Sequence, residues 1–274
     1  MSDLSKKVAD SIKILRMYRG DDPIEVSYSG GKDSDVILSL VRESGIPYRA
    51  IYKNTTIDPP YTVKHCKDNG VEVLNPKISF FDVIRKKGYP TRRARFCCEE
   101  LKEYKVLNNA VQGIRRCEST GRAKRYKEPI ICRMYKKKEH CNIFLPILEW
   151  SDKDVSDYIK AHGIQCHPLY YPNGFFDVTQ RLGCIGCPMA SDNGLSGFRT
   201  YPKMVKLWTK AAGQLWESRR DNPLLSMKKF SDVYALFAHN VFFDDYDHFS
   251  AAQNSMFGKV DWRQHLQDFF KIEL

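Results

Sequence analysis

The sequence predicts an α/β fold: a mostly parallel, twisted sheet flanked by helices, followed by a helical C-terminal extension. Three observations carry this expectation. A strand-like run, Ile24-Glu25-Val26-Ser27-Tyr28, passes through two glycines into helical apolar spacing at Val36, Ile37, Leu38 and Leu40. A second strand-like run over residues 49–53 follows that helix, and strand–helix–strand at this length implies a parallel pair joined by a crossover. Beyond Met189 the apolar residues take helical spacing, with Val205, Leu207, Trp208, Ala212, Leu215 and Trp216.

Each element has its own signal. Leu4, Val8, Ile12 and Leu15 predict an amphipathic helix over residues 5–18, and Asp21-Asp22-Pro23 turns the chain into the first strand. The helix after the glycines ends at Gly45-Ile46-Pro47. Pro59-Pro60 open a helix running to residue 68, residues 70–74 form a third strand, and Phe80, Phe81, Val83 and Ile84 mark a short helix ended by Gly88. A helix carrying Leu101, Tyr104 and Val106 is expected after Cys97-Cys98. Strands are expected at 110–114, 129–134 and 142–148, with Lys136-Lys137-Lys138 as a solvated hairpin tip. Ser151-Asp152-Lys153-Asp154 caps a helix with Val155, Tyr158 and Ile159 that ends at Gly163. Residues 165–188 are irregular, and a long irregular stretch inside a compact chain is usually functional. Phe242, Phe243, Tyr246 and Phe249 are read as helical core. The expected division is a nucleotide-binding domain over 1–188 and a helical extension over 189–274.

The chemistry concentrates at Ser29-Gly30-Gly31-Lys32-Asp33-Ser34. A strand that turns on two glycines into a helix aims backbone N–H groups and a helix dipole at one point, and such a point binds phosphate. Gly30 and Gly31 are both expected to permit positive φ, Lys32 to add a mobile positive charge, and Ser29 and Ser34 to add hydroxyl donors. The spacing is not that of the Walker loop, Gly-x4-Gly-Lys-Ser/Thr. Asn54-Thr55-Thr56 follows the second strand, and ligands of open parallel sheets sit beyond the carboxyl ends of strands, so this turn is expected to add ligand contacts. Arg92, Arg93 and Arg95 before Cys97, and Arg115 and Arg116 after the fourth strand, suit phosphate or sulfate oxygens.

Composition sets the bounds. A hydrophobic share of 42% is that of a globular chain, and no apolar run approaches the roughly 18–20 residues of a membrane span. No secretory signal is visible near Met1, so the expected location is cytoplasmic. A formal charge of +11 suits anionic partners, nucleotides or nucleic acid, and composition alone leaves this about even with a merely solvated basic surface. Nine cysteines without a secretion signal argue for metal or redox chemistry rather than a disulfide framework. Cys97-Cys98 and Cys184-x2-Cys187 are the candidate ligands. Zinc would draw all four sulfurs onto one ion, which an adjacent pair strains; an iron–sulfur cubane gives each sulfur its own iron. Iron–sulfur is the first reading, zinc the second and unligated thiols the third. Cys66, Cys117, Cys132, Cys141 and Cys166 are expected to be small buried hydrophobes.

The hexapeptide resembles the PP-loop of the adenine nucleotide α-hydrolase-like superfamily. With Asn54-Thr55-Thr56, Arg95-Phe96-Cys97-Cys98-Glu99, Gly113-Ile114-Arg115, Glu118-Ser119, Pro146, Trp150 and Gly183-Cys184-Ile185-Gly186-Cys187-Pro188, the chain resembles the phosphoadenosine phosphosulfate (PAPS) reductase family over roughly residues 20–200. Its cysteine pattern is similar to members with a [4Fe–4S] cluster, the adenylyl-sulfate reductases and the sulfur-incorporating enzymes of DNA phosphorothioation. The resemblance implies nucleotide phosphate binding by Ser29, Gly30, Gly31, Lys32, Asp33 and Ser34, and cluster ligation by Cys97, Cys98, Cys184 and Cys187. Arg95, Arg115 and Arg116 are implied anion clamps.

The expected function is ATP pyrophosphatase or adenylyl-transfer chemistry coupled to sulfur incorporation, with nucleic acid (DNA or RNA) as an allowed acceptor. Mg2+ is an optional companion, a sulfur or electron donor protein an expected partner, and a homo-oligomer allowed. The alternatives are a thiol-dependent adenylyl-sulfate or PAPS reductase, and a nucleotide-sensing or cluster-bearing subunit without turnover. Reductases of the family resemble one another in a mobile C-terminal cysteine. Residues 188–274 contain none, so cysteine-mediated sulfite release is not expected.

Overall fold

A computed structural model describes residues 3–135, 139–219, 230–241 and 260–274. The expected lysine tip at 136–138 and the expected core aromatics at 242, 243, 246 and 249 lie outside the described residues. The chain divides into two compact units. One comprises residues 1–54, 59–76 and 102–183; the other comprises 55–58, 77–101 and 184–274. The C-terminal stretch of the second unit thus begins five residues before the expected start at 189, and the unit takes in two earlier stretches.

The first unit is built on a six-stranded sheet. Its strands are β1 (Ile24–Tyr28), β2 (Tyr48–Lys53), β3 (Glu72–Leu74), β4 (Asn109–Val111), β5 (Ile130–Met134) and β6 (His140–Phe144), in the order β3-β2-β1-β4-β6-β5. All pairs are parallel except β5–β6. The expected mostly parallel sheet is therefore present. Ile24, Val26 and Tyr28 of β1 join Ala50 and Tyr52 of β2 in one core. Helices α1 (Asp3–Leu15), α2 (Lys32–Ser44), α3 (Thr62–Asp68) and α7 (Asp152–Ala161) bury apolar side chains in that same core. β1 leads through α2 to β2 on one side and pairs with β4 on the other. The end of β1 is thus a topological switch point, where open parallel sheets bind ligands.

Several element ends differ from expectation. α1 stops at Leu15 and continues only as turns. α5 (Phe96–Leu101) stops before Tyr104, whose carbonyl accepts from Lys53 Nζ at 2.7 Å instead of serving a helix. β6 ends at Phe144, because Pro146 has no N–H for a ladder and residues 145–148 turn. β4 ends at Val111, where the chain leaves the sheet toward Gly113.

The second unit contains α4 (Phe80–Lys87), α5, α8 (Leu195–Thr200), α9 (Lys203–Arg219), α10 (Val233–Val241) and α11 (Trp262–Phe270), which gives the expected helical extension. Its core is aromatic: the Trp208 ring stands 4.9 Å from Phe80, 5.2 Å from Phe198 and stacked at 5.7 Å on Tyr89. No helix among the described residues is long and apolar enough to cross a membrane.

Candidate active site: a phosphate-loop cavity and a four-cysteine group

The loop between β1 and α2 has the shape its sequence asks for, through one glycine rather than two. Gly30 has φ +77°, and a Cβ there would stand 3.1 Å from Thr62 Cγ2 and 3.2 Å from Leu182 Cδ2. Gly31 is instead the extended N-cap of α2, at φ −87° and ψ 159°. Of the two positions that permit positive φ, Gly30 uses it; once Gly30 has turned the chain, Gly31 need only enter the helix. Ser34 Oγ donates to the Gly31 carbonyl at 2.7 Å, and the Gly31 N–H reaches Ser29 Oγ at 3.4 Å. Behind the loop, the Tyr28 hydroxyl donates to Asp35 Oδ1, and His65 Nε2 stands 3.0 Å from both groups. Burial raises the Asp35 pKa above the usual carboxylate range. This buried cluster fastens the end of β1 to the first turn of α2.

Lys32 is not mobile. It is buried, 3.5 Å from Asp33 Oδ2 and 5.5 Å over the Tyr170 ring, so its ammonium is held in place. Asp33 Oδ1 stands 2.8 Å from Arg115 Nε, close enough for a strong ion pair but not aligned as a hydrogen bond. Arg115 is 1% exposed and is otherwise engaged by Asp152 Oδ1 at 2.8 Å, by Cys117 Sγ at 3.0 Å and by the Trp150 carbonyl. It therefore holds the loop's carboxylate rather than presenting an open fork. Arg116 pairs with Glu149 and donates to the carbonyls of Tyr126 and Lys127. Asn54 donates to Asn75 Oδ1 at 2.9 Å.

A cavity of about 160 Å³ opens at the loop, lined by Ser29, Gly31, Lys32, Asp33 and Ser34 together with Glu118, Arg122 and Arg181. That is smaller than the about 300–1,000 Å³ of a drug-sized ligand pocket, so it suits phosphate groups rather than a whole nucleotide. Arg122 is countered by Glu118, while burial and the charge of Arg181 lower its pKa. Two guanidiniums and an ammonium against the two carboxylates of Asp33 and Glu118 leave the cavity lining net positive, which suits an anion. Arg181 was not among the expected residues. The only signal for it was the irregular stretch 165–188 in which it lies.

The second unit gathers the cysteines. A hydrogen bond with Cys98, burial, and the neighbouring thiols of Cys98, Cys184 and Cys187 push the Cys97 pKa well up. The Cys184–Cys187 turn is closed by the Cys187 N–H donating to the Cys184 carbonyl at 3.2 Å. Gly186 within it has φ +76°, and a Cβ there would collide with the Phe198 and Trp208 rings. The turn therefore lies on the aromatic core. Thr55 Oγ1 stands 3.5 Å from Cys184 Sγ and donates to Asp58 at 2.6 Å, while Thr56 Oγ1 accepts from the Phe80 N–H. Arg95 is exposed, and its carbonyl accepts from the Cys98 N–H. Arg92 is committed to the carbonyls of Pro188 and Ala190. Among the described residues, no three of His, Cys, Asp and Glu stand close enough to hold a single metal ion. Cys97, with the thiols of Cys98, Cys184 and Cys187 beside it, nevertheless offers the all-sulfur donor chemistry of an iron–sulfur site, in which each sulfur takes its own iron.

A mostly parallel sheet with a glycine-lysine loop at its switch point defines an α/β protein with a candidate anion site at the end of β1. The phosphoadenosine phosphosulfate reductase domain matches residues 23–190, and the chain belongs to that family. An uncharacterized protein of Methanocaldococcus jannaschii is 31% identical over 231 residues, 75% of this chain and 52% of that protein. Sulfate adenylyltransferase subunit 2 of Shewanella pealeana is 28% identical over 208 residues, 62% of this chain and 68% of that one. The chain spans about half the length of the first curated relatives it matches. Among solved structures, PAPS reductase from Candida auris aligns at TM-score 0.45 with 15% identity, covering 67% of this chain and 96% of that one. The U34-tRNA thiolase NcsA from Methanococcus maripaludis, with its [4Fe-4S] cluster, aligns at TM-score 0.40 with 14% identity, covering 82% and 83%.

Proposed function

We propose that this chain binds ATP, or an adenylyl sulfate, by its phosphates and cleaves ATP between the α- and β-phosphates to activate an acceptor for sulfur incorporation. The observation that supports this most is that Lys32, Arg122 and Arg181 line one cavity together with Ser29, Gly31 and Ser34 of the loop. In that step an acceptor oxygen attacks the α-phosphorus, the bond to the bridging oxygen breaks, and pyrophosphate leaves with the electron pair. Positive groups fixed around the leaving oxygens stabilise the charge that develops there. Lys32, Arg122 and Arg181 are assigned to this role, with Mg2+ as an optional addition. Ser29, Gly30, Gly31 and Ser34 cradle the phosphates, and Asp33, tied to Arg115, keeps the loop in shape. Asn54 is assigned to the nucleotide, Thr55, Thr56 and Arg95 to the side of the cysteine group, and Arg116 to the surface of the anion site.

Cys97, Cys98, Cys184 and Cys187 would hold a [4Fe–4S] cluster, with zinc as the second candidate; bound there, the cluster supplies sulfur or electron chemistry. The basic chain favours DNA or RNA as acceptor, served by a separate sulfur or electron donor protein. Anaerobic protein given ATP with and without DNA or RNA should release pyrophosphate and form AMP or an adenylylated acceptor. Sulfite from adenylyl sulfate or PAPS with a thiol, and no pyrophosphate from ATP, would replace this reading with a reductase. No turnover of either would leave a nucleotide-binding subunit.

A further inference from the structure

The hairpin at the edge of the sheet overturns one expectation about the cysteines. Cys66, Cys141 and Cys166 are buried as expected, but Cys117 and Cys132 are exposed. Cys117 belongs to the Arg115 cluster. Cys132 lies on β5, away from the residues assigned so far, and its neighbours are chemically selective.

In the β5–β6 pair Cys132 is registered with Asn142 and Met134 with His140. Side chains of alternate residues share a face of a strand, so Cys132, Met134, His140 and Asn142 stand together. All four are exposed, while Cys141 and Ile143 on the opposite face are buried. Cys132 Sγ is 3.6 Å from His140 Nδ1. Two ligands of one ion, with sulfur at about 2.3 Å and nitrogen at about 2.0–2.1 Å, are separated by about 3.5–3.8 Å at tetrahedral to trigonal angles. The pair thus already stands at chelating distance. Met134, directly across from His140 and 62% exposed, adds a thioether on a flexible stem.

We propose that Cys132, Met134 and His140 bind a soft, thiophilic ion of the Cu(I) class. Thiolate, thioether and imidazole together select for such an ion, whereas Mg2+ and Ca2+ require oxygen ligands. On binding, the Cys132 thiol releases its proton to solvent and the imidazole coordinates as the neutral ring. The ion's oxidation state does not change, so no oxidant or reductant enters. The proposal is independent of the phosphate-loop reading.

Alkylation protection tests it residue by residue. Purified full chain is treated with iodoacetamide under anaerobic conditions, with and without Cu(I) supplied as its acetonitrile complex. Alkylation of each cysteine peptide is then followed by mass spectrometry. Cu(I) should slow modification of Cys132 by about tenfold or more, because the coordinated thiolate is no longer a free nucleophile. Cys117, exposed but beside a guanidinium, serves as the internal reference and should be unaffected. His140→Ala should abolish the protection and Met134→Leu should weaken it; both positions are exposed, so both variants should fold. Equal alkylation of Cys132 with and without Cu(I) would overturn the proposal and leave only a thiol–imidazole contact. So would protection that survives in His140→Ala, or protection by Zn2+ with none by Cu(I).

Discussion

Gly30 carries the turn on which the phosphate site depends. At φ +77° a non-glycine residue costs about 1–2 kcal/mol, and the added methyl must also displace Thr62 or Leu182. Gly30→Ala should therefore lower the denaturant midpoint and weaken ATP binding. Gly31→Ala should do less to stability, since its backbone is ordinary and its Cβ would stand 3.2 Å from Tyr170 Oη, with Ser29 Oγ at 3.5 Å and Leu182 Cβ at 3.9 Å in ordinary contact. Equal stability of the two variants in urea melts would contradict this account. The loop itself was legible because all six residues are consecutive. Arg181 and the ion pair of Arg115 with Asp33 were not, because residues 33, 115 and 181 meet only through the tertiary fold. Nor does a cysteine's residue type reveal which face of a strand it takes, so the exposure of Cys132 was equally hidden.

At the scale of elements, α7 is tied to α1 by one carboxylate. Asp154 closes the capping box with Ser151 and accepts from Lys7 Nζ at 2.8 Å. Burial alone would raise its pKa, but the bonds from Lys7 and Ser151 more than reverse this and hold it below the usual value. A lowered carboxylate pKa stabilises the fold above the unfolded-state value of about 3.9, and that contribution is lost as pH falls through the folded value. Asp154→Ala should cost about 1 kcal/mol or somewhat more at neutral pH. The difference from wild type in chemical denaturation should shrink below about pH 4; a difference that persists undiminished in acid would contradict the ionic origin. This cap was legible from Ser151-Asp152-Lys153-Asp154, because capping is local. The end of α5 was not, since a lysine 51 residues earlier in the chain takes the Tyr104 carbonyl.

For the whole molecule, the parallel sheet followed from alternating strand and helix signals, whereas the division into units did not. Residues 55–58 and 77–101 join the C-terminal unit, and nothing in their composition marks the change. One consequence is that Cys97, Cys98, Cys184 and Cys187 all belong to one unit. A cluster held by them would join two distant segments of that unit, and metal binding would add to its stability. Anaerobic protein should carry about four irons with broad visible absorption. Chelation should lower the melting temperature; iron-free protein of unchanged stability would remove the cluster from the account. The central claim, however, is that the cavity at Lys32 holds the phosphates of a nucleotide. Its most direct test is calorimetric titration of ATP into wild type and Lys32→Ala. Loss of one charge-assisted contact of about 1.5–3 kcal/mol predicts binding weaker by about 10–150-fold in the variant. Identical affinities in the two proteins would contradict it.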